Sequence, residues 1–227
     1  LSGFDIKVNI KRAVFITIRS VPVGNQRQEY GYMRYVIRDL PIVEIPYVAI
    51  DTETTGLSPR DGHRLVEVAA IRFHRGVVLD KFVTLVNPLT SIHPAACAIH
   101  GITDEMVAEA PTFADVYEEL VSFLDDDILV FHNAPFDISF LEHESRIIGK
   151  RWVSNPVIDT LKLARGLGGR RGRNSLGQLA WELGVGSPCH RAESDAVAAG
   201  KILLALSYRG GHHLTASELL AMAGWRV

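Results

Sequence analysis

Cysteine is scarce in this chain. Cys97 and Cys189 are the only two in 227 residues, too few and too isolated for a disulfide framework, and no Cys/Cys or Cys/His spacing suggests structural zinc. Both read as plain buried or semi-buried thiols. No apolar run approaches the roughly 18 residues needed to cross a bilayer, because charges or turn residues interrupt every candidate, so no membrane association is expected. An excess of positive charge is missing too: 24 Lys and Arg stand against 26 Asp and Glu, for a formal charge of −2, which does not advertise a nucleic-acid surface. It does not exclude one, since metal-holding carboxylates count as negative in that sum while bound cations would offset them. The N-terminus lacks the basic, apolar and small-residue succession of a secretory signal, which makes a cytoplasmic location the default expectation. Internal repeats and low-complexity tracts are also absent.

The length suits one well-buried domain with small appendages. Residues 1–45 differ in character from the rest of the chain. Ile6, Val8 and Ile10, then Val14, Ile16 and Ile18, alternate with polar residues as half-buried strands do. The segment carries no chemical motif and reads as an N-terminal extension, either a β-hairpin or a poorly ordered stretch. From residue 46 the signals sharpen. Tyr47 to Asp51 is a short apolar run ending in acid, and Leu65 to Phe73 and Val77 to Val86 form a β-branched pair across His-Arg-Gly, predicting antiparallel strands. Helical spacing covers Thr112 to Leu124, with further helices predicted over Pro135–Ile148, Asp159–Arg165, Ser175–Leu183 and Ala192–Tyr208, and a buried strand at Ile128–Phe131. Asp159 is a plausible N-cap. Antiparallel strands followed by a strand set between helices predict an α/β fold with a mixed sheet flanked by helices. Residues 209–227 read as a short C-terminal tail with an apolar helix-like stretch.

Three separated clusters carry the chemistry. Asp51 and Glu53, in Ile-Asp-Thr-Glu-Thr-Thr-Gly-Leu, are two apart, so on a strand both project from one face. Gly56 permits a turn just beyond them, where a substrate backbone can approach. Asp137, in Phe-His-Asn-Ala-Pro-Phe-Asp, follows the buried strand and opens a helix with Pro135 in its first turn. His190 and Asp195, in His-Arg-Ala-Glu-Ser-Asp-Ala, flank the start of another helix. A neutral imidazole can take a proton from water near pH 7, while an adjacent carboxylate holds the metal that makes that water acidic. Oxygen donors of this kind suit magnesium or manganese, and two such ions about 4 Å apart can clamp the attacking and leaving oxygens of a phosphoryl displacement. The clusters together point to a phosphodiester-cleaving enzyme.

Asp-Thr-Glu-Thr-Thr-Gly, His-Asn-Ala-Pro-Phe-Asp and His-Arg-Ala-x-x-Asp-Ala, in this order and at about these separations, resemble the three motifs of the DEDDh 3′→5′ exonuclease family. The pattern is similar to that of the epsilon proofreading subunit of bacterial DNA polymerase III and of PolC-type exonuclease domains. It covers residues 46–208. The resemblance implies a ribonuclease H-like fold and two Mg2+ ions, with Mn2+ able to substitute. It makes Asp51 a ligand of both ions, Glu53 and Asp195 ligands mainly of the ion at the nucleophilic water, and Asp137 a ligand of the second, with His190 as the base. Thr54, Leu57, His100 and Phe136 match positions that line the nucleotide pocket, although Phe136 in the core and His100 capping a turn would be equally ordinary. The implied activity is hydrolysis from the 3′ end of DNA, in proofreading or repair, releasing nucleoside 5′-monophosphates. Single-stranded DNA is the favoured substrate and a DNA polymerase the candidate partner.

Other readings stay open at this level. RNA trimming uses the same metal chemistry and differs in contacts to the 2′-hydroxyl, and a non-catalytic module could keep the fold to hold a nucleic-acid end or a polymerase. Arg165, Arg170, Arg171 and Arg173 form the only basic concentration, suited either to phosphate contacts or to a solvated loop. Asp125, Asp126 and Asp127 read as a solvated turn ending a helix.

Overall fold

In this computed structural model, residues 39–168, 174–209 and 211–224 are described. The alternating strands predicted at Ile6–Ile18, and three of the four clustered arginines, Arg170, Arg171 and Arg173, lie outside those residues. Arg165 is exposed in the last turn of a helix.

Strand β1 (Tyr47–Thr54) lies at the centre of a five-stranded sheet of order β3-β2-β1-β4-β5. It pairs antiparallel with β2 (Leu65–His74), which turns back into β3 (Val77–Leu85). Arg75 and Gly76 make that turn with φ of 52° and 78°, the positive values a two-residue hairpin needs to match strand twist. On the other side of β1, β4 (Ile128–Phe131) and β5 (Val157–Asp159) add in parallel. This is the mixed sheet that the sequence predicts, with β5 as an addition.

Helices cover both faces. Beyond β3 come α1 (Pro94–His100) and α2 (Asp104–Val107), neither evident from periodicity because each is shorter than the repeat that would reveal it. Helix α3 (Phe113–Leu124) begins with a Thr112/Asp115 capping box. Helix α4 (Ala134–Ile147) follows Asn133, whose φ of 72° turns the chain sharply out of β4. Asp159 caps α5 (Thr160–Gly166) by accepting the Leu161 and Lys162 amides, as predicted. Helices α6 (Leu176–Leu183) and α7 (Ala192–Ser207) follow, then a small hairpin of β6 (Tyr208–Arg209) and β7 (His212–His213), and α8 (Ala216–Met222). No helix among the described residues is long and apolar enough to cross a membrane.

Strand alternation sorts the core. Val48, Ile50, Val68 and Ala70 pack with Val116, Leu120, Phe140 and Leu141 of α3 and α4. Tyr47, Ala49, Ala69, Ile71 and Phe73 face the other way, against Ala196 and Leu203 of α7 and Leu219 and Leu220 of α8. Ile42 joins this second cluster, and its amide donates to the Leu214 carbonyl at 3.0 Å, so residues just ahead of β1 pack with the C-terminal segment. Helix α7 lies close on the sheet at Gly200. A β-carbon there would meet the Phe73 ring at 2.5 Å, and the Tyr47 hydroxyl donates to the Gly200 carbonyl at 3.0 Å.

The acidic turn after α3 is not wholly solvated. Asp125 and Asp126 are exposed, but Asp127 pairs with Arg72 of β2. Cys97 is half-buried as expected. Cys189 is exposed, because it lies in the loop leading to α7 rather than under it.

Candidate active site

The same alternation aims the acids. Asp51 and Glu53 continue the Tyr47–Ala49 side of β1, toward α7, and Asp195 sits in the first turn of α7 facing back. One ligand oxygen from each of these three carboxylates lies within 4.8 Å of the others. Asp137 is not in that compact set. It reaches the site from the first turn of α4, buried to 3% exposure, and one oxygen, Oδ1, accepts both the amide (3.0 Å) and the hydroxyl (2.7 Å) of Thr52. It is nonetheless the strongest neighbouring charge on Asp51. The four acids predicted from the sequence therefore meet at the C-terminal end of β1, three in close register and one alongside.

Their electrostatics are those of an unneutralised acid cluster. Burial, and then the Asp137, Glu53 and Asp195 carboxylates, hold the Asp51 carboxyl well above its ordinary range. Burial pushes Glu53 up to about 8, with Asp195 and Glu67 adding to the effect and Arg191 opposing it. Asp137 is raised to about 7 by burial, against the hydrogen bonds from Thr52. Asp195 is raised by burial although the Cys189 amide donates to its Oδ1 at 3.0 Å. Close, hard oxygen donors that repel one another without a counter-charge fit a divalent cation of the magnesium or manganese type.

His190 lies two residues ahead of α7, next to its N-cap residue Arg191. It is exposed, and its backbone has a φ of 56°.

The softer sequence matches divide. Leu57 is 83% exposed in the turn beyond β1, free to meet a ligand. Phe136 is half-buried and packs on Phe140 with ring centroids 5.2 Å apart, partly committed to the core. Thr54 is buried, and its hydroxyl donates to the Gly56 carbonyl at 2.6 Å. His100 has both ring nitrogens engaged within the chain. Its Nδ1 accepts the Ile102 amide at 3.0 Å, which leaves the proton on Nε2 to donate to the Thr54 carbonyl at 3.2 Å. Burial lowers its pKa and 5% of its surface is exposed, so the ring props the end of β1 with no polar atom left over. Gly56 is also explained differently from the turn argument. Its φ is not positive, but a β-carbon would meet the His63 ring at 2.4 Å.

Three residues next to the acids escaped the sequence reading: Thr52, Glu67 and Arg191. Glu67 stands opposite Glu53 in the β1–β2 register and is 3% exposed. A single charge inside Leu-Val-Glu-Val-Ala-Ala-Ile was the available signal, since Glu is rarely buried unless paired.

Comparison with known proteins agrees with this geometry. An exonuclease family model (RNase_T) matches residues 48–203. The chain is 41% identical over 175 residues to a DNA polymerase III subunit epsilon-like protein of Rhodobacter capsulatus, a match covering 75% of this chain and 25% of that one. It is 38% identical over 172 residues to the PolC-type DNA polymerase III of Oceanobacillus iheyensis, covering 75% of this chain and 12% of the relative. The chain thus spans a quarter or less of these relatives' length. Among solved structures, exonuclease X in complex with 5′ overhanging duplex DNA superposes with a TM-score of 0.63 at 29% identity, over 78% of this chain and 99% of that one. The nuclease domain of 3′hExo, a DEDDh family member bound to rAMP, shares the fold at a TM-score of 0.62 and 19% identity, over 69% and 88% of the two chains. The five-stranded mixed sheet is the ribonuclease H-like fold of these exonucleases.

Proposed function

The chain belongs to the exonuclease family as a DEDDh-type member, and from that premise we propose that it removes nucleotides from the 3′ end of DNA by two-metal hydrolysis, releasing nucleoside 5′-monophosphates. The observation that carries the reading is the convergence of Asp51, Glu53 and Asp195 within 4.8 Å, with buried Asp137 beside Asp51.

Asp51, Glu53 and Asp195 would hold one divalent ion, and Asp51 with Asp137 a second; magnesium is the proposed metal, with manganese able to substitute. When bound, the ions supply Lewis-acid activation of the attacking water and neutralise charge developing on the phosphate. His190 accepts the proton that the water loses. Thr52 fixes the Asp137 carboxylate by two hydrogen bonds to one oxygen, leaving the other for a cation. Leu57, exposed past the end of β1, offers an apolar surface for a terminal base, a sequence-tolerant contact. His100 serves the fold at this point, its ring holding the Thr54 carbonyl at the end of β1.

DNA is favoured over RNA because the relatives with the higher identities bear DNA polymerase III names and the exonuclease X structure holds DNA. Those names also make a DNA polymerase the proposed partner class. The test is a gel time course on 5′-labelled single-stranded DNA and RNA of matched sequence, in magnesium and in chelator. A magnesium-dependent ladder shortening from the 3′ end of DNA, slower on RNA, is expected. Faster loss of RNA would reverse the substrate assignment, and retained single-strand binding with no shortening would turn the reading into a binding module.

A further inference from the structure

Glu67 is an expensive residue to place where it is. It faces Glu53 directly across β1–β2, a like-charge pairing that destabilises a sheet, and its charge pushes on both Asp51 and Glu53. The three hydrogen bonds it accepts all come from one short segment. Its two oxygens receive Arg191 Nε at 3.1 Å and a terminal guanidinium nitrogen at 2.6 Å, and Oε2 also accepts the Ala192 amide at 2.8 Å. The Ala192 amide is one of the donors that a helix leaves unsatisfied at its start, where a carboxylate is favoured. The Arg191 side chain has no other hydrogen-bond partner among the described residues.

His190 is thereby enclosed between two fixed points. Behind it, the Cys189 amide is held by Asp195 Oδ1 at 3.0 Å. Ahead of it, the Arg191 side chain and the Ala192 amide are held by Glu67. Between them His190 takes a φ of 56°, a left-handed conformation uncommon for a residue other than glycine and kept only where its surroundings impose it.

We propose that Glu67 and Arg191 are positioning residues that impose the left-handed backbone on His190 and so set the site of the proton acceptor relative to the carboxylates. This rests on the exonuclease reading above, with His190 as the base. Glu67 is set apart from the compact carboxylate set of Asp51, Glu53 and Asp195, and each of its oxygens already receives a hydrogen bond from the guanidinium or the helix amide.

The test is a double-mutant cycle on 5′-labelled single-stranded DNA using wild type, E67A, H190A and E67A/H190A, with E67Q as the variant of unchanged shape. E67A is expected to lower kcat by about 10- to 100-fold, the range for residues that orient groups in a metal site, with KM and the manganese titration midpoint each within about twofold, a split that loss of a ligand would not give. E67Q should fall between, because an amide can still accept one donor. In the H190A background the E67A change should cost less than about threefold, because there is no longer a ring to position. Hydrogen exchange of folded E67A should be faster at Cys189–Asp195 and unchanged in β1. Equal losses in both backgrounds, or unchanged exchange at those amides, would overturn the positioning role while leaving an active wild type. A wild type that shortens no strand would overturn the exonuclease reading, and this role with it.

Discussion

Thr52 gives both its amide and its hydroxyl to a single oxygen of Asp137, at 3.0 and 2.7 Å, across 85 residues of sequence. Thr52 lies between the two acids of β1 but on the opposite side of the strand, so one tripeptide supplies two carboxylates to one face and the anchor of a third from the other. Thr52→Val keeps the volume and the amide and removes the hydroxyl donor. That donor lowers the Asp137 pKa, so its loss should move the carboxyl further above about 7. A hydrogen bond to a charged group contributes about 1.5 to 3 kcal/mol, so activity at pH 7 should fall roughly 10- to 100-fold. The acidic limb of the pH–rate profile should move upward and part of the activity return near pH 9. An unmoved limb would remove Thr52 from this role.

Asp51→Asn removes the charge that four neighbouring carboxylates, Asp137, Glu53, Asp195 and Glu67, oppose. Cleavage should become undetectable in the gel assay, while the metal-free variant should melt at a higher temperature than wild type at pH 8. Substantial cleavage by a well-folded variant would deny Asp51 its place as a ligand of both ions.

The acid cluster gives the metal-free protein a defined pH dependence. Glu53 and Asp137 are raised to about 8 and about 7, so between ordinary carboxylate values near pH 4 and those values the folded state binds more protons than the unfolded chain. Stability should therefore be fullest at the acidic end and decline as pH rises toward 8. Melting scans in chelator should show that decline, and added manganese should raise the melting temperature more at pH 8 than at pH 5. A melting temperature that climbs with pH across this window in chelator would contradict the raised values.

His100→Ala should act on stability rather than on substrate contact. It leaves the Thr54 carbonyl and the Ile102 amide without their partner, a loss of about 2 to 3 kcal/mol for two buried hydrogen bonds. Denaturant unfolding should show that loss, while kcat/KM measured well below the melting temperature changes less than about threefold. A large rise in KM in a folded variant would restore His100 to the nucleotide pocket.

What the sequence made legible was local. The acids at 51 and 53 share a face because a strand repeats every two residues, and the cap at Asp159 acts within three residues of itself. What stayed hidden was decided at a distance. Val157–Asp159 is a strand only because β4 offers it an edge, through pairs such as Leu129 with Val157. Glu67 looked like an interruption in an apolar strand until its partner, 124 residues later, came beside it. His100 sat in a motif whose histidine suggested a ligand contact, but the positions of two backbone groups consume the ring. Arg64 and Glu144, joined by two bonds of 2.7 Å between the start of β2 and α4, were equally silent in one dimension.

Gly200 extends the active site beyond its own residues. It lies five positions after Asp195 on the same helix, about 7.5 Å along the axis, and nothing in the chemistry touches it. Yet its missing β-carbon is what lets α7 rest against Phe73, and that resting height sets the gap across which Asp195 faces Asp51 and Glu53. The spacing of the three carboxylates is thus gauged by a contact between a glycine and an aromatic ring in the hydrophobic interior. Even a methyl group at position 200 would act as a shim, parting Asp195 from Asp51 and Glu53 without altering any of the three.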